Sequence, residues 1–319
     1  MHLIAIGGSD AGISAALRAR ELDPDTEVTV VVADAYPNFS ICGIPYYVSR
    51  EVTHWRNLAH RTIADLEATG MGLRLDSVAR RIDVGGRKLL VTDADGNEEL
   101  LPYDELVVGT GAVSVRPPID GLNEPDALGV EDGVHLLHSM GDTFAVMHTL
   151  EEAAPASAII VGAGYIGLEM AEALVARGLA VTQIEQLPEV LPTVDPELGA
   201  LVRDQLVQHG VSVRVGARVT AIARARAGGL EVRTAGGEGE TVCAADLVLV
   251  VVGVRPDTEL AASSGVELGV KGAIAVDPQM RTNLTGVFAA VVNITSGALS
   301  VSERPFHSTK PKAAGVPTR

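Results

Sequence analysis

Several residue types are scarce in this chain, and each scarcity limits what kind of protein it can be. Two cysteines in 319 residues cannot build a disulfide framework, and Cys42 and Cys243 lack the spacing of metal ligands. Basic residues number 25 against 41 acidic ones, and the net charge of −16 argues against nucleic-acid binding and against anionic membrane surfaces. Aromatic residues make up only 3%, so the core must be built mainly from aliphatic side chains.

Long apolar runs are also lacking. The longest uninterrupted one, Leu247 to Val252, is far too short to cross a bilayer. Met1 to Gly7 leads directly into an apolar strand pattern and has neither the charged region nor the cleavage site of a signal peptide. The sequence therefore predicts a cytoplasmic protein with no metal, membrane or nucleic-acid partner.

Glycine, by contrast, is plentiful at 34 residues, and two glycine-rich turns lie in the same sequence context. An apolar strand from Leu3 to Ile6 precedes Gly7 to Gly12, and a strand from Ala158 to Val161 precedes Gly162 to Gly167. Each turn is followed by a helix pattern and then by another apolar strand, which is the order of a βαβ unit. This internal duplication predicts two nucleotide-binding domains of the α/β class.

The second turn carries the complete dinucleotide pattern. Gly162, Gly164 and Gly167 hold the three positions that let backbone N–H groups approach a pyrophosphate at a helix N-terminus. Glu185 ends the following strand, where a carboxylate binds both ribose hydroxyls and repels a 2′-phosphate. The sequence therefore predicts an NADH site, with NADPH less favoured.

The first turn is less regular. Gly7 and Gly12 fit the pattern, but Ser9 occupies the middle glycine position. The second strand ends in Val32-Ala33-Asp34, so the ribose carboxylate is either absent or shifted to Asp34. Asp34 as a solvated turn residue without a ligand is the alternative interpretation.

Cys42 follows this first unit. An isolated cysteine is usually an inert small hydrophobe. Here it comes just after the strand end of a nucleotide-binding unit, within reach of a bound flavin, and Gly43 lets the backbone bend close to a ring. A dithiol mechanism is excluded because no second cysteine lies near Cys42, and Cys243 is expected to be a core or edge residue.

At these residues the sequence resembles the single-cysteine members of the pyridine nucleotide–disulfide oxidoreductases, which include coenzyme A–disulfide reductases, NADH peroxidases and NADH oxidases. The resemblance covers about residues 1–290. The matching motifs, in the family's order, are Ser40 to Tyr47, Tyr103 to Ala112, Gly164 to Glu169, Gly253 to Pro256 and Gly286 to Ala290. The second of these is similar to a flavin motif and the third to the nicotinamide-site motif.

The resemblance implies an α/β fold of two Rossmann-like, three-layer domains, with the NAD domain inserted in the FAD domain. The expected ranges are 1–115 for the first part of the FAD domain, 116–254 for the NAD(H) domain, 255–290 for the return segment and 291–319 for an atypical, mostly irregular tail. The family continues after this point with a Gly-Asp pair that binds the flavin and with a dimerisation domain. This sequence has Val291-Val292 instead, so a truncated member without the homodimer domain is expected.

The resemblance also implies a chemistry. Electrons pass from NADH through FAD to Cys42, which reduces a small-molecule disulfide such as coenzyme A disulfide. Glu169 resembles the family glutamate at the nicotinamide–flavin contact and is expected to be catalytic with Cys42. Oxidases and peroxidases of the family carry a histidine where this chain has Asp10, which favours the disulfide reductase. NADH oxidase or peroxidase chemistry is the alternative. An inactive nucleotide-binding remnant is the third possibility.

The glycine patterns and the resemblance together define the expected cofactor contacts. Those for FAD are Gly7, Gly8, Ser9, Asp10, Ala11, Gly12, Asp34, Ser40, Thr110 and Gly111, and those for NAD(H) are Gly162, Gly164, Tyr165, Ile166, Gly167, Glu185 and Gly253.

Overall fold

The computed structural model describes residues 1–123, 125–226, 228–236 and 239–290, together with the backbone of 294–296. No helix within these residues is long and apolar enough to cross a membrane. The bounds of the elements show how the two glycine turns are positioned.

A five-stranded parallel sheet carries the first turn. Its strands are β1 (His2–Ile6), β2 (Glu27–Val31), β3 (Gly72–Arg74), β7 (Glu105–Val108) and β19 (Val287–Ala289), in the order β19-β7-β1-β2-β3. Helices α1 (Asp10–Leu22) and α3 (Ile63–Ala68) pack on one face. The antiparallel strands β4 (Val78–Asp83), β5 (Lys88–Thr92) and β6 (Glu98–Pro102) cover the other face.

Alternation along the strands explains these three layers. Val28 and Val30 of β2 are buried with Ile13 of α1, whereas Val31 is buried with Leu89 of β5. Successive side chains of a strand point to opposite faces of the sheet, so a strand rich in valine serves both cores.

The second parallel sheet repeats the arrangement. Its strands are β9 (Val134–Leu136), β10 (Ser157–Val161), β11 (Ala180–Ile184), β12 (Ser212–Arg214) and β16 (Leu247–Val250), in the order β12-β11-β10-β16-β9. Helices α4 (Met140–Glu152) and α5 (Tyr165–Ala176) pack on one face, and α6 (Pro196–Gln208) connects β11 to β12. The antiparallel strands β13 (Ala217–Arg224), β14 (Leu230–Gly236) and β15 (Gly239–Ala245) cover the other face.

The chain leaves the first sheet and returns to it. A short ribbon of β8 (Ala112–Ser114) and β17 (Val254–Pro256) joins the two parts, and α7 (Glu259–Ser263) and β18 (Ile274–Val276) lead back to β19. β19 pairs with β7 of the first sheet. The predicted fold class, an NAD domain inserted in an FAD domain, is therefore confirmed, while the exact domain boundaries stay predictions.

Two short strands complete the description of the sheets. β12 pairs in parallel with β11, with Ser212 opposite Thr182. The tail 291–319 was expected to be mostly irregular, and within it Ile294–Ser296 forms strand β20, parallel to β18. Both strands are three residues long, too short to show the period-2 alternation that identifies a strand in sequence.

A helix after Cys42 bridges the two parts of the molecule. In α2 (Ile44–Val48), Ile44 and Val48 are buried in one cluster with Met170 and Leu174 of α5. The Arg177 guanidinium donates to the Val48 carbonyl at 3.4 Å. The cysteine segment is therefore packed against the helix that begins at the second glycine turn.

Candidate active site

Three backbone segments approach one another closely at the first glycine turn. A Cβ on Gly7 would collide with the carbonyl of Gly109, and a Cβ on Gly12 would collide with the carbonyl of Gly7. The Gly7 N–H donates to Val31 and the Gly109 N–H donates to Ile6, each at 2.8 Å. Glycine is therefore required here by close approach of backbone, and Gly7 also has a φ of 110°.

The start of α1 is open to an anion. Ser9 is the N-cap residue, and its side chain makes no capping hydrogen bond. A Cβ on Gly8 would collide with the Val32 side chain, and Asp10 and Ala11 begin the helix. Backbone N–H groups of a first helical turn and the helix dipole attract a phosphate, so this turn fits the pyrophosphate of FAD.

The other predicted flavin residues border this turn. The Thr110 hydroxyl donates to the Asp257 carbonyl, and the Asp257 N–H donates to Gly111 at 3.1 Å, so the loop after β7 is tied to the return segment. The Asp34 carboxylate accepts a hydrogen bond from the Tyr36 N–H at 2.9 Å. Burial raises the pKa of Asp34 above its usual range. This bond is a turn contact, and a ribose contact for Asp34 stays a prediction.

The second glycine turn opens into a cavity of about 600 Å³. Predicted nucleotide residues that line it are Gly162, Gly164, Tyr165, Ile166, Glu185 and Gly253. Arg116 and Arg218 line it as well and supply positive charge. A largely apolar cavity of this size with a few charged groups suits a dinucleotide.

The glycines of this turn have separate tasks. A Cβ on Gly167 would collide with the Gly162 carbonyl, so this position keeps α5 against the turn. A Cβ on Gly164 would meet no protein atom within 4 Å, and Gly164 is the N-cap of α5 without a side-chain cap. The open space at Gly164 fits a ligand phosphate approaching the helix N-terminus.

Glu185 is held in place by the turn itself. Its carboxylate accepts from the Ala163 N–H at 2.8 Å and from the Leu187 N–H at 2.9 Å. The residue is only 7% exposed, so its orientation is restricted by packing as well as by hydrogen bonds. The neighbouring Gln183 is fully buried and donates to Gly162 at 3.2 Å, which fastens β11 to the turn.

Cys42 is exposed and lies in a short 3₁₀ helix, Ile41–Gly43. The Ser40 N–H donates to the Leu58 carbonyl at 2.8 Å, and the Gly43 N–H donates to Ser40 at 3.1 Å. A Cβ on Gly43 would press against the Leu58 side chain at 2.7 Å. The thiol is thus presented to solvent on a loop whose base is fixed, as a redox thiol requires.

Glu169 lies on the exposed side of α5, one turn after Tyr165. Desolvation raises the pKa of its carboxyl, and the neighbouring Glu172 carboxylate adds to the shift. Its predicted place at a nicotinamide–flavin contact stays a prediction. Cys243 is intermediate in exposure on β15, in agreement with the edge position expected for it.

Sequence reasoning missed two residues beside the first turn. Asn38 is only 1% exposed and has a φ of 59°, and its amide donates to the Asp10 carboxylate at 2.8 Å. His60 Nδ1 lies 3.1 Å from the same carboxylate oxygen. An asparagine before a cysteine motif is a weak signal for a left-handed turn, and nothing in the sequence pairs position 60 with position 10.

The fold carries two glycine turns of the dinucleotide-binding type, and an exposed cysteine follows the first of them. The family model for pyridine nucleotide-disulphide oxidoreductases matches residues 1–291, and the chain belongs to this family. The match confirms the expected family. The choice between NADH and NADPH is a prediction.

Relatives in the family carry several names. An NADH oxidase of Methanocaldococcus jannaschii is 31% identical over 96% of this chain and 66% of its own length, and an NAD(P)H sulfur oxidoreductase (CoA-dependent) of Pyrococcus furiosus is 32% identical over 90% and 62%. The solved structure of an NAD-dependent persulfide reductase from A. fulgidus superposes with a TM-score of 0.84 at 34% identity, covering 92% of this chain and 53% of that one. This chain therefore spans less than two thirds of the length of these relatives.

The predicted loss of the flavin-binding aspartate at Val291-Val292 lies outside the residues that the structure describes.

Proposed function

We propose that this protein is an FAD-dependent NADH oxidoreductase that reduces a low-molecular-weight disulfide, such as coenzyme A disulfide, through Cys42. The observation that supports it most is the exposed Cys42 on a loop that is hydrogen-bonded to the first glycine turn and packed against the helix of the second. Relatives named for CoA-dependent sulfur and persulfide chemistry support the same class of acceptor.

Separate residues of this chain would bind the two nucleotides and react with the disulfide. Gly7 to Gly12 would hold the FAD pyrophosphate, and Gly162 to Gly167 with Glu185 would hold NADH. The Cys42 thiolate attacks one sulfur of the disulfide, forming a mixed disulfide and releasing one thiolate, which takes a proton from water. Breaking this mixed disulfide needs one electron pair, and supplying that pair from NADH is the chemistry that FAD contributes when bound.

NADH oxidase or peroxidase chemistry is the second candidate, in which Cys42 cycles through a sulfenic acid. The relative named an NADH oxidase favours it, and so does the imidazole of His60 beside Asp10. The disulfide reductase remains the first choice because position 10 is an aspartate, whereas oxidases and peroxidases of the family carry a histidine there.

The test is the Cys42→Ser variant, with Cys243→Ser as its matched control. With FAD and NADH supplied, the Cys42→Ser protein is expected to lose reduction of coenzyme A disulfide by about 100-fold or more, because the nucleophile is removed. Bleaching of the flavin by NADH should persist in both variants. Undiminished disulfide reduction by Cys42→Ser would overturn the proposal, and rapid peroxide reduction by the unsubstituted protein would favour the second candidate.

A further inference from the structure

Asn38 holds together three segments that are distant in sequence. Its N–H donates to the Gly8 carbonyl at 2.6 Å, in the first glycine turn. Its carbonyl accepts from the His60 N–H at 2.8 Å. Its side-chain amide donates to the Asp10 carboxylate at 2.8 Å and accepts from the Arg61 guanidinium at 3.3 Å.

Asn38 adopts an unfavourable backbone conformation at this position. Asn38 has a φ of 59°, a left-handed conformation that asparagine tolerates better than most residues, and it is 1% exposed. A buried side-chain amide is costly unless it is hydrogen-bonded, and here both its nitrogen and its oxygen have partners. Hydrogen bonds at both ends of a buried amide rigidify its surroundings.

The same contacts lead to the cysteine. Phe39 bridges to Ala59 in antiparallel fashion, and Ser40 donates to Leu58, so the two segments run side by side toward Cys42. Cys42 follows Asn38 by four residues, and a Cβ on Gly43 would collide with the Leu58 side chain. A shift at Asn38 therefore moves the base of the cysteine loop relative to the glycine turn.

From these contacts we propose that Asn38 is a positioning residue, which fixes the Cys42 loop on the first glycine turn so that nucleotide binding at the turn controls access to the thiol. This role rests on the proposed function, in which FAD occupies the turn and Cys42 is the redox thiol. Asp10 and His60 act with Asn38, because the Asn38 amide nitrogen and His60 Nδ1 both contact the same Asp10 carboxylate oxygen.

The experiment compares the rate at which Cys42 reacts with 4,4′-dithiodipyridine in the presence and absence of FAD, in a Cys243→Ser background. FAD on the turn is expected to slow the reaction of the otherwise unsubstituted protein by about fivefold or more, because it orders the loop and narrows the approach to the thiol. Asn38→Gly keeps the left-handed backbone accessible but removes the amide, and it is expected to reduce the FAD effect to below about twofold. Asn57→Gly, an exposed position in the neighbouring 3₁₀ helix Trp55–Leu58, is the matched control and should keep the full effect.

Asn38→Asp supplies a readout that general loosening would not produce. It places a second carboxylate about 2.8 Å from that of Asp10, so the pair repels at neutral pH, whereas one shared proton restores a hydrogen bond in acid. The factor by which FAD slows the reaction of Asn38→Asp is expected to be small at about pH 8 and to recover toward the value of the unsubstituted protein at about pH 5.5. His60 and Arg61 also face this pair, so the unsubstituted protein and Asn38→Gly are measured at both pH values for comparison.

The outcomes separate the two ideas. If FAD binds and slows the thiol equally in all variants at both pH values, the role of Asn38 is overturned and the proposed function stands. If FAD binds without changing the rate even in the unsubstituted protein, the control of the thiol by the turn is wrong. If FAD does not bind, the proposed function fails. The role of Asn38 then requires that Asn38→Gly change the FAD-free rate by about threefold or more while Asn57→Gly leaves that rate unchanged. Equal FAD-free rates in the variants would overturn the role of Asn38.

Discussion

At the scale of single residues, the predicted preference of the second glycine turn for NADH rests on one carboxylate. Glu185 is buried and is fixed by the Ala163 and Leu187 N–H groups, so its orientation is set before a ligand arrives. A fixed carboxylate repels a 2′-phosphate, whereas a carboxylate that could turn away would discriminate less.

Glu185→Ala is therefore expected to bring the dissociation constants of NADH and NADPH closer together by about tenfold, corresponding to about 1.4 kcal/mol. Glu185→Gln keeps the shape and removes the charge, so it should relax the discrimination while retaining more of the NADH affinity. Both constants are measured by titration of the protein with each nucleotide. A preference for NADH that is unchanged in both variants would show that another residue, such as Arg218 in the cavity, sets it.

At the scale of elements, both glycine turns were recognisable in the sequence because close backbone packing permits only glycine at several of their positions. Gly7, Gly12 and Gly167 each face a backbone carbonyl at a distance that excludes any side chain. The short strand β20 was not predicted because three residues cannot show a period. Asn38 and His60 were missed because their contacts join positions that are far apart in the sequence.

The turn before α5 allows a paired test of two glycines. Gly167→Ala should lower the melting temperature and weaken NADH binding together, because its methyl group would collide with the Gly162 carbonyl. Gly164→Ala should leave the melting temperature unchanged within about 2 °C, since no protein atom lies near its added methyl, but should still weaken NADH binding about tenfold or more. Thermal melts and nucleotide titrations of the two proteins check this. Full NADH affinity in Gly164→Ala would mean that the pyrophosphate does not approach α5 at this turn.

At the scale of the whole molecule, acid is expected to weaken the fold through a buried histidine. His135 is 2% exposed on β9, and its Nε2 lies 3.0 Å from the Thr149 hydroxyl of α4. Burial lowers the pKa of His135 from 6.5 to about 4, while the Asp142 carboxylate opposes the shift. The imidazole is therefore neutral in the native state at pH 7, whereas the unfolded chain takes up a proton below about pH 6.5.

The stability contributed by this histidine is fully present above pH 6.5 and is lost as the pH falls from 6.5 to about 4. Between pH 7 and about pH 5 the loss amounts to about 2 kcal/mol in the free energy of unfolding. Urea unfolding of the unsubstituted protein and of His135→Gln at the two pH values measures it, because the difference between them removes the contribution of the carboxylates. An equal loss in both proteins would contradict the assignment.

The central claim for the whole molecule is that its two nucleotide turns work on one electron path. Their sheets have the same strand order around the glycine turn, and α2 packs the Cys42 segment against α5. The family relationship supports FAD and NAD(P)H as the two ligands. Neither turn by itself would make the chain an oxidoreductase, because electrons must pass from one nucleotide to the other.

The most direct measurement is the visible absorption spectrum of the FAD-supplemented protein, freed of unbound flavin, before and after addition of NADH without oxygen. We expect a protein-bound flavin band that bleaches when NADH is added, and NADH consumption when coenzyme A disulfide follows. A colourless protein that takes up no FAD, or a bound flavin that NADH fails to bleach, would contradict the account.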